Sequence, residues 1–564
     1  MNQRENMLSL LLRDNIRNIT PYSTARDDCK AKMDIYLDAN ENPYPNGVNR
    51  YPSPHQPKLK EMLSVLKHVP AENIFIGNGS DEPIDLIFRL FCPPGESSMV
   101  QIVPTYGMYS VAAAINDVRV IDAPLDGNFT LDAAAVLSKV EKDTKAIFLC
   151  SPNNPSGNLL DRGQILRILD NFDGVVVVDE AYIDFADGES FITQLGKYPR
   201  LVVLQTMSKA WGMAGLRIGL AIADKFIVDV MSRIKYPYNV SVLNHSKAEE
   251  LLSDPLAAAD KVAEIKSERN RLATALSDME PVVRVYPSDA NFLLVRFKDK
   301  SEAFARLLQA GIIVRDRSSA YGCDGCLRIT VGTPEENDRV ISVISGKPVG
   351  KGQIPADGNP DREKDPDGGG KPDRRASCFR KTGETAVSVR VDLDSFHKPV
   401  IATGLGFFNH MLEQIGYHGG IGLDIICFGD LSTDDHHSIE DVAIALGDCL
   451  KEALGDKSGI GRYGFCLPMD EAEAMVLLDL GGRTDFLWDV TLHESKVGDV
   501  SSQMFRHFFK SLSEHLNCNL HIKATGENDH HTVEGIFKAF ARALKSAVKQ
   551  EQQGGVIPSS KGWL

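Results

Sequence analysis

The sequence predicts two modules of different fold class: an α/β module with a large, mostly parallel sheet, and a smaller α+β module built as an internal duplication. Three observations carry this. Between residues 75 and 220, continuous apolar runs ending in polar turns alternate with helical stretches, the pattern of strands covered on both faces. After about residue 345 a segment almost without large apolar residues interrupts the chain. Beyond it, D-H-H followed three residues later by glutamate occurs twice.

At 564 residues the chain exceeds one hydrophobic core, given roughly 100–200 residues per domain. A net charge of −15 argues against nucleic acid as a partner, because phosphate binding needs a basic surface. The scattered cysteines lack the spacing of a disulfide framework. Cys323 and Cys326 form the only close pair, and no second pair completes a metal site, so free thiols in a reducing compartment are expected. The opening MNQRENMLSLLLRDN is too short and unflanked for a signal segment, and no stretch approaches the roughly 20 apolar residues that span a bilayer. A cytoplasmic protein without membrane contact is expected.

The interruption, GKPVGKGQIPADGNPDREKDPDGGGKPDRRAS, covers residues 346–377 and buries too little surface to offset its ordering entropy. It reads as a linker between modules 1–345 and 378–564.

In the first module, NIFIGNGSDEPIDLIF, KAIFLCSPNNPSG, GVVVVDEAYIDF and RLVVLQTMSKAWGMAGLRIGL each place polar residues where a strand ends, and such sheets gather ligands there. Gly77, Gly79 and Ser80 precede a helical stretch and suit a phosphate. Lys209 is a candidate Schiff-base amine, with Thr206 and Ser208 as hydroxyl donors and Arg217 as a phosphate partner. Asp179 suits a pyridinium nitrogen, and Tyr182 or Asn154 the ring oxygen of the same cofactor.

This ordered set resembles the fold-type I pyridoxal-phosphate aminotransferases, and among them the histidinol-phosphate aminotransferases. LDANENPY, RYPSP, GNGSDE, PTYGMY, SPNNPSG, VDEAYIDF, SKAWGMAGLR, ANFLLVRF and CLRITVGT carry the likeness over nearly all of residues 5–345. The resemblance implies a large parallel-sheet domain with a small α+β domain, and a dimer. It implies Lys209 as Schiff-base lysine and proton carrier, Asp179 on the pyridine nitrogen, and Tyr106 stacked on the ring. Ser80, Asp81, Ser208 and Arg217 would bind the phosphate, with Tyr51 reaching it from the other subunit. Arg315 and Arg328 would hold the substrate phosphate or the carboxylate of glutamate, anions that suit bidentate guanidinium. A related threonine-phosphate decarboxylase shares most of these motifs, so the first module alone leaves both open.

In the second module, DDHHSIEDVAIALGD carries His436, His437 and Glu440, and ENDHHTVEGIFKAFARAL carries His530, His531 and Glu534. Upstream of each lies a helical stretch with a further candidate histidine, His410 in GFFNHMLEQIGYHGG and His507 in QMFRHFFKSLSEHL, and then a strand. Residues four apart share a helix face, pairing His436 with Glu440 and His530 with Glu534. His437 and His531 are turned away by about 100°. If the halves are related by an approximate two-fold, each swung-out histidine completes the other half's site. One upstream histidine added to each gives three imidazoles and one carboxylate per ion. Such a set suits Mn(II), Zn(II) or Fe(II).

With RKTGETAVSV, GIGRYG, DLGGR and IPSSKG, these stretches resemble the imidazoleglycerol-phosphate dehydratases over essentially all of residues 378–564. The resemblance implies two manganese ions per site: one on His410, His437, His530 and Glu534, the other on His436, Glu440, His507 and His531. Substrate-binding positions would be His418, Arg462, Arg483, Ser559, Ser560 and Lys561, with Glu384 as a binding carboxylate that also acts as acid or base. Copies would assemble into symmetrical shells with sites at subunit interfaces.

Together the two resemblances imply consecutive steps on phosphorylated imidazole substrates, with glutamate as amino donor. The competing expectation is a decarboxylase joined to a non-catalytic, metal-stabilised assembly core.

Overall fold

The structure is a computed structural model that describes residues 3–20, 34–346, 374–431, 433–464, 467–469 and 471–550. It divides into two compact units.

The N-terminal unit is built on seven strands: β1 (Ile74–Asn78), β2 (Ser98–Val103), β3 (Arg119–Pro124), β4 (Thr144–Cys150), β5 (Val175–Asp179), β6 (Leu201–Thr206) and β7 (Ile218–Ala223). Their order is β1-β7-β6-β5-β4-β2-β3. Strand β7 runs antiparallel to both neighbours and the other pairs are parallel. Every residue of β5, β6 and β7 is buried, which is why these runs are continuously apolar instead of alternating. The expected polar residues fall at strand ends: Asp179 closes β5, Thr206 closes β6, and Asn154 follows β4. A second sheet, β8 (Val282–Val285), β9 (Phe292–Phe297), β10 (Arg315–Asp316) and β11 (Cys326–Thr330), is antiparallel in the order β10-β11-β9-β8 and forms the core of the small α+β part. Cys323 and Cys326 are buried there as free thiols.

The C-terminal unit shows the duplication directly. The first half has β12 (Arg375–Lys381), β13 (Thr385–Asp392), β14 (Val400–Ala402), helix α1 (Gly406–Gly419), β15 (Gly422–Gly429) and helix α2 (His436–Leu454). The second has β16 (Tyr463–Gly464), β17 (Leu467–Met469), β18 (Ala472–Asp479), β19 (Asp485–Val490), the hairpin β20 (Lys496–Val497) and β21 (Val500–Ser501), helix α3 (Ser502–Leu516), β22 (Asn519–Thr525) and helix α4 (Asp529–Val548). In each half a long antiparallel pair, β13 with β15 and β18 with β22, is extended by a parallel strand, β14 or β19. The helices then pair crosswise: α1 of the first half against α4 of the second, and α2 against α3. One apolar core runs through both halves, with Phe408, Phe505, Phe508, Phe509 and Phe537 all buried in it.

One boundary needs correction. Residues 347–373 of the expected linker lie outside the described residues. Its last residues, 375–377, are not linker but the start of β12, paired with β13 from Arg375↔Asp392 onward. Only Ala376 of this edge strand is fully buried, so composition could not separate it from the polar segment before it.

Phe508 is wholly buried against Phe408, Phe509 and Phe537. Phe508→Ala is expected to cost about 3–5 kcal/mol, the range for aromatic truncation in a packed core. In calorimetry the C-terminal unit should melt earlier while the N-terminal unit does not.

Candidate functional site

In the N-terminal unit a single cleft at the strand ends is lined by Ser80, Asp81, Tyr106, Cys150, Asn154, Asp179, Ala181, Tyr182, Thr206, Ser208, Lys209 and Arg217. Ten of the eleven cofactor residues expected from the sequence are thus side by side. The eleventh, Tyr51, lies outside the cleft and stacks on Tyr238 with ring centroids 4.3 Å apart.

The end of the cleft at Gly79, Ser80 and Arg217 is shaped by close backbone approach. Gly79, at φ +77°, faces the Arg217 guanidinium, and a Cβ there would sit 2.4 Å from Nη2. A Cβ on Gly219 would meet the Gly79 and Ser80 backbone at 2.2 Å. Arg217 takes the left-handed conformation at φ 53° and its Nη2 donates to Asp81 Oδ2 at 3.3 Å. Thr206 Oγ1 donates to the Ile218 carbonyl and accepts from Ser208 N, folding the turn. Ser208 Oγ is buried with no hydrogen-bond partner among the described residues, as expected of a hydroxyl that serves an anionic ligand.

The other end is electrostatically prepared. Burial pushes the Asp179 carboxyl up to about 6, although Oδ2 accepts from Tyr109 Oη at 2.5 Å and Oδ1 from Ala181 N at 3.1 Å. Burial, reinforced by Arg328 and Arg217, holds Lys209 below the ordinary ammonium range, and its Nζ sits 5.8 Å from the Tyr182 ring centroid. Burial also raises Tyr106 to about 12, helped by Asp81, to which its hydroxyl donates at 3.2 Å. The residues present therefore fit a phosphorylated, carbonyl-bearing pyridine: a phosphate cradle, an amine held below the ordinary ammonium range, and a buried carboxylate for a ring cation.

Arg315 and Arg328 face each other across the β10–β11 ladder. Arg328 Nη1 donates to Asn154 Oδ1 at 2.6 Å, which ties the strand to the cleft. Burial lowers the Arg328 guanidinium, and Arg315 adds to this. Arg317, which the sequence reading passed over, is depressed by burial and by both of these arginines, and its Nε is buried without a partner. Three guanidiniums collected on one hairpin favour an anion. Tyr109 was also missed; PTYGMY held the signal, a second tyrosine one helical turn beyond Tyr106.

In the C-terminal unit the crossed helix pairs bring two triads together, with the donor atoms of each within 4.8 Å of one another: His410, His530 and Glu534, and His436, Glu440 and His507. In the first, His410 Nε2 lies 3.8 Å and His530 Nε2 3.5 Å from the carboxylate of Glu534. In the second, His436 Nε2 lies 3.6 Å and His507 Nε2 3.0 Å from that of Glu440. His507 Nε2 is buried and, despite that short distance, lacks the geometry of a hydrogen bond, so these atoms converge without satisfying each other. Imidazole and carboxylate donors converging in this way suit a divalent ion.

Each triad holds three residues of an expected four-ligand set, and the crossing runs through the upstream histidines. His437 and His531 are turned away from their own chain's triads. His437 Nδ1 is 3.1 Å from Asp430 and His531 Nδ1 2.9 Å from Glu471, the carboxylate anchoring by which metal-binding imidazoles are oriented. Glu384 is exposed at a tight turn whose flanks are held by Asp441, accepting from Arg380 Nε at 2.7 Å and from the Thr382 and Thr385 hydroxyls. His418 lies two turns beyond His410, its ring lowered by burial and by Lys538 and Arg542. Arg462 is held by Asp479 through two bonds, at 2.7 and 3.1 Å, and Arg483 is exposed after β18. Ser559, Ser560 and Lys561 lie outside the described residues.

Two families match. Residues 28–344 match the family model for aminotransferase class I and II, and residues 403–544 that for imidazoleglycerol-phosphate dehydratase. Over 334 residues the chain is 54% identical to a histidinol-phosphate aminotransferase of Parabacteroides distasonis, covering 59% of this chain and 97% of that one. A histidinol-phosphate aminotransferase of Cytophaga hutchinsonii is 51% identical over 341 residues, 60% of this chain and 98% of that one. Among solved structures, the histidinol-phosphate aminotransferase of Clostridium acetobutylicum aligns with a TM-score of 0.50 and 25% identity, covering 53% of this chain and 90% of that one.

Because Gly219 admits no Cβ beside the Gly79–Ser80 backbone, Gly219→Ala should displace the phosphate turn. The expected loss is about 1–3 kcal/mol from overpacking, read as a lower melting temperature together with weaker retention of a phosphorylated ligand in equilibrium dialysis.

Proposed function

We propose, for a chain that belongs to the class I and II aminotransferase family and carries an imidazoleglycerol-phosphate dehydratase domain after it, two consecutive reactions of histidine biosynthesis. The C-terminal module dehydrates imidazole glycerol phosphate to imidazole acetol phosphate. The N-terminal module converts that ketone to histidinol phosphate with glutamate as amino donor. The observation that carries this reading is the co-occurrence of the Lys209–Asp179 cleft with two imidazole–carboxylate triads in one chain. A threonine-phosphate decarboxylase has no use for the dehydratase's product, and the relatives at 54% and 51% identity are aminotransferases.

In the N-terminal cleft, Ser80, Ser208 and Arg217 would hold the phosphate of pyridoxal phosphate, with Asp179 at its ring nitrogen and Tyr106 over the ring. When bound, that cofactor supplies an electron sink. Lys209 Nζ, held below the usual ammonium range, takes the proton from the substrate carbon and returns it one position along. Arg315 and Arg328 receive the substrate's phosphate or the carboxylate of glutamate, and the neutral Tyr182 hydroxyl remains a hydrogen-bond donor in the cleft.

In the C-terminal module the two triads would hold manganese ions, which supply Lewis acidity when bound. His437 and His531, held on Asp430 and Glu471 away from their own triads, would complete triads of neighbouring copies, so the module works as a higher-order assembly while the aminotransferase module pairs as a dimer. Glu384, on its turn anchored by Asp441, would move a proton at the substrate diol. Arg462, held by Asp479, would take the phosphate with Arg483, Ser559, Ser560 and Lys561. The free cysteines suit a reducing cytoplasm, and no helix among the described residues is long and apolar enough to cross a membrane.

The decisive experiment supplies imidazole glycerol phosphate with and without glutamate. Lys209→Ala is expected to accumulate the ketone, whereas His436→Ala should fail to dehydrate yet still transaminate supplied ketone. Dehydration by His436→Ala at the wild-type rate would refute the metal assignment. A second expectation concerns pH. Since the Asp179 carboxyl titrates near 6 in the folded protein and near 3.9 when unfolded, its burial is harmless below about 4 and destabilises increasingly as pH rises through 6. A ring cation relieves this, so the rise in melting temperature given by pyridoxal phosphate should grow between pH 5 and 7, and Asp179→Asn should flatten that dependence.

A further inference from the structure

The hairpin β20–β21 with its flanks, residues 493–501, touches the starting turns of all four helices that carry the triads. Helix α1 has no cap of its own, since its N-cap residue is Leu405. Its first two N–H groups, of Gly406 and Phe407, instead donate to the carboxylate of Asp499 at the hairpin tip, the second at 3.0 Å. Helix α2 is tied through Asp435, the residue before His436, whose carboxylate accepts from Ser501 N at 2.5 Å and from Ser501 Oγ at 3.1 Å. Helix α4 is tied through Asp529, the residue before His530, which accepts from the N–H groups of His493 and Glu494, both at 2.7 Å. Helix α3 begins where the hairpin ends, with Ser501 as its N-cap. The tip also presses on a ligand indirectly. Gly498 takes φ +62°, and a Cβ there would lie 2.5 Å from Cβ of Phe407, whose ring packs edge-on against His530 at 4.9 Å.

We infer that this hairpin is a common brace for both metal triads, and that Asp499, although not a ligand, is a positioning residue for the His410–His530–Glu534 site. Asp499 fixes the start of α1, on which His410 lies one turn further along, and seats Phe407 against His530. Outer carboxylates do not bind the ion but set where its ligands stand. Those bonded directly to a ligand typically contribute roughly 10–100-fold in affinity, and Asp499, which acts one step further out through the helix start, is expected at the low end of that range. The inference rests on the divalent-ion reading of the triads.

The test is Mn(II) titration of the metal-stripped full chain, followed by the electron paramagnetic resonance of free Mn(II). It is carried out in a His436→Ala background, which leaves the Asp499-linked triad as the one to be read. Asp499→Ala is expected to weaken Mn(II) binding about 10-fold, the low end of the range for outer carboxylates, and Asp499→Asn, which keeps one acceptor oxygen, to fall between. Pyridoxal phosphate absorbance and the melting of the N-terminal unit should not change. Equal Mn(II) affinity in Asp499→Ala and its parent overturns the brace. If Asp499→Ala is unfolded, Asp499→Asn decides: unchanged affinity refutes the proposal and an intermediate loss supports it. If neither the wild type nor the His436→Ala parent takes up Mn(II), the divalent-ion reading itself fails, and the brace falls with it.

Discussion

Crosswise packing of helices between the two halves of the C-terminal unit is the constraint on which its chemistry depends. Neither half holds a triad by itself: α4 contributes His530 and Glu534 but must receive His410 from α1, and α2 contributes His436 and Glu440 but must receive His507 from α3. The apolar core that fixes these pairs, including Phe408, Phe508 and Phe537, thereby also fixes the donor distances. Because packed cores resist small displacements, ligand geometry is inherited from ordinary hydrophobic burial. The polar contacts at the helix starts act on top of this, satisfying N–H groups and carboxylates beside the donor histidines.

The N-terminal cleft relies on the same burial for a different end. Removing water from Asp179 and Lys209 makes the carboxyl easier to protonate and the ammonium easier to deprotonate, so each is moved from its ordinary charge state toward neutrality. Tyr109 and the Ala181 amide keep Asp179 in a fixed orientation. Arg328 couples this region to the small sheet through Asn154, so the arginine-bearing hairpin and the cleft are joined by one short hydrogen bond.

Much of this was legible in the sequence because it is local. Strand ends that carry Asp179 and Thr206 announce themselves by an apolar run meeting a polar turn, and the helical spacing of His436 with Glu440 needs nothing beyond the 3.6-residue turn. What was hidden depends on distance along the chain. Spacing within a helix shows that His437 turns away, but only the packing shows that His410 joins the second half's helix and that Asp430 holds His437. Asp499 caps a helix that begins 93 residues earlier, and its sole sequence trace is the apolar Leu405 where a capping side chain would ordinarily stand. Arg317 escaped notice because, between two arginines already given roles, nothing but burial distinguishes it.

The matching strand order of the halves and the exchange of helices between them have an evolutionary consequence. A chain of half this unit's length, carrying one helix with an upstream donor histidine and one helix starting D-H-H, has both kinds of donor but cannot bring them together within itself. Two such chains packed about a dyad make both triads at once. The present unit has the form of such a homodimer made covalent, and once joined, its two triads no longer had to stay identical.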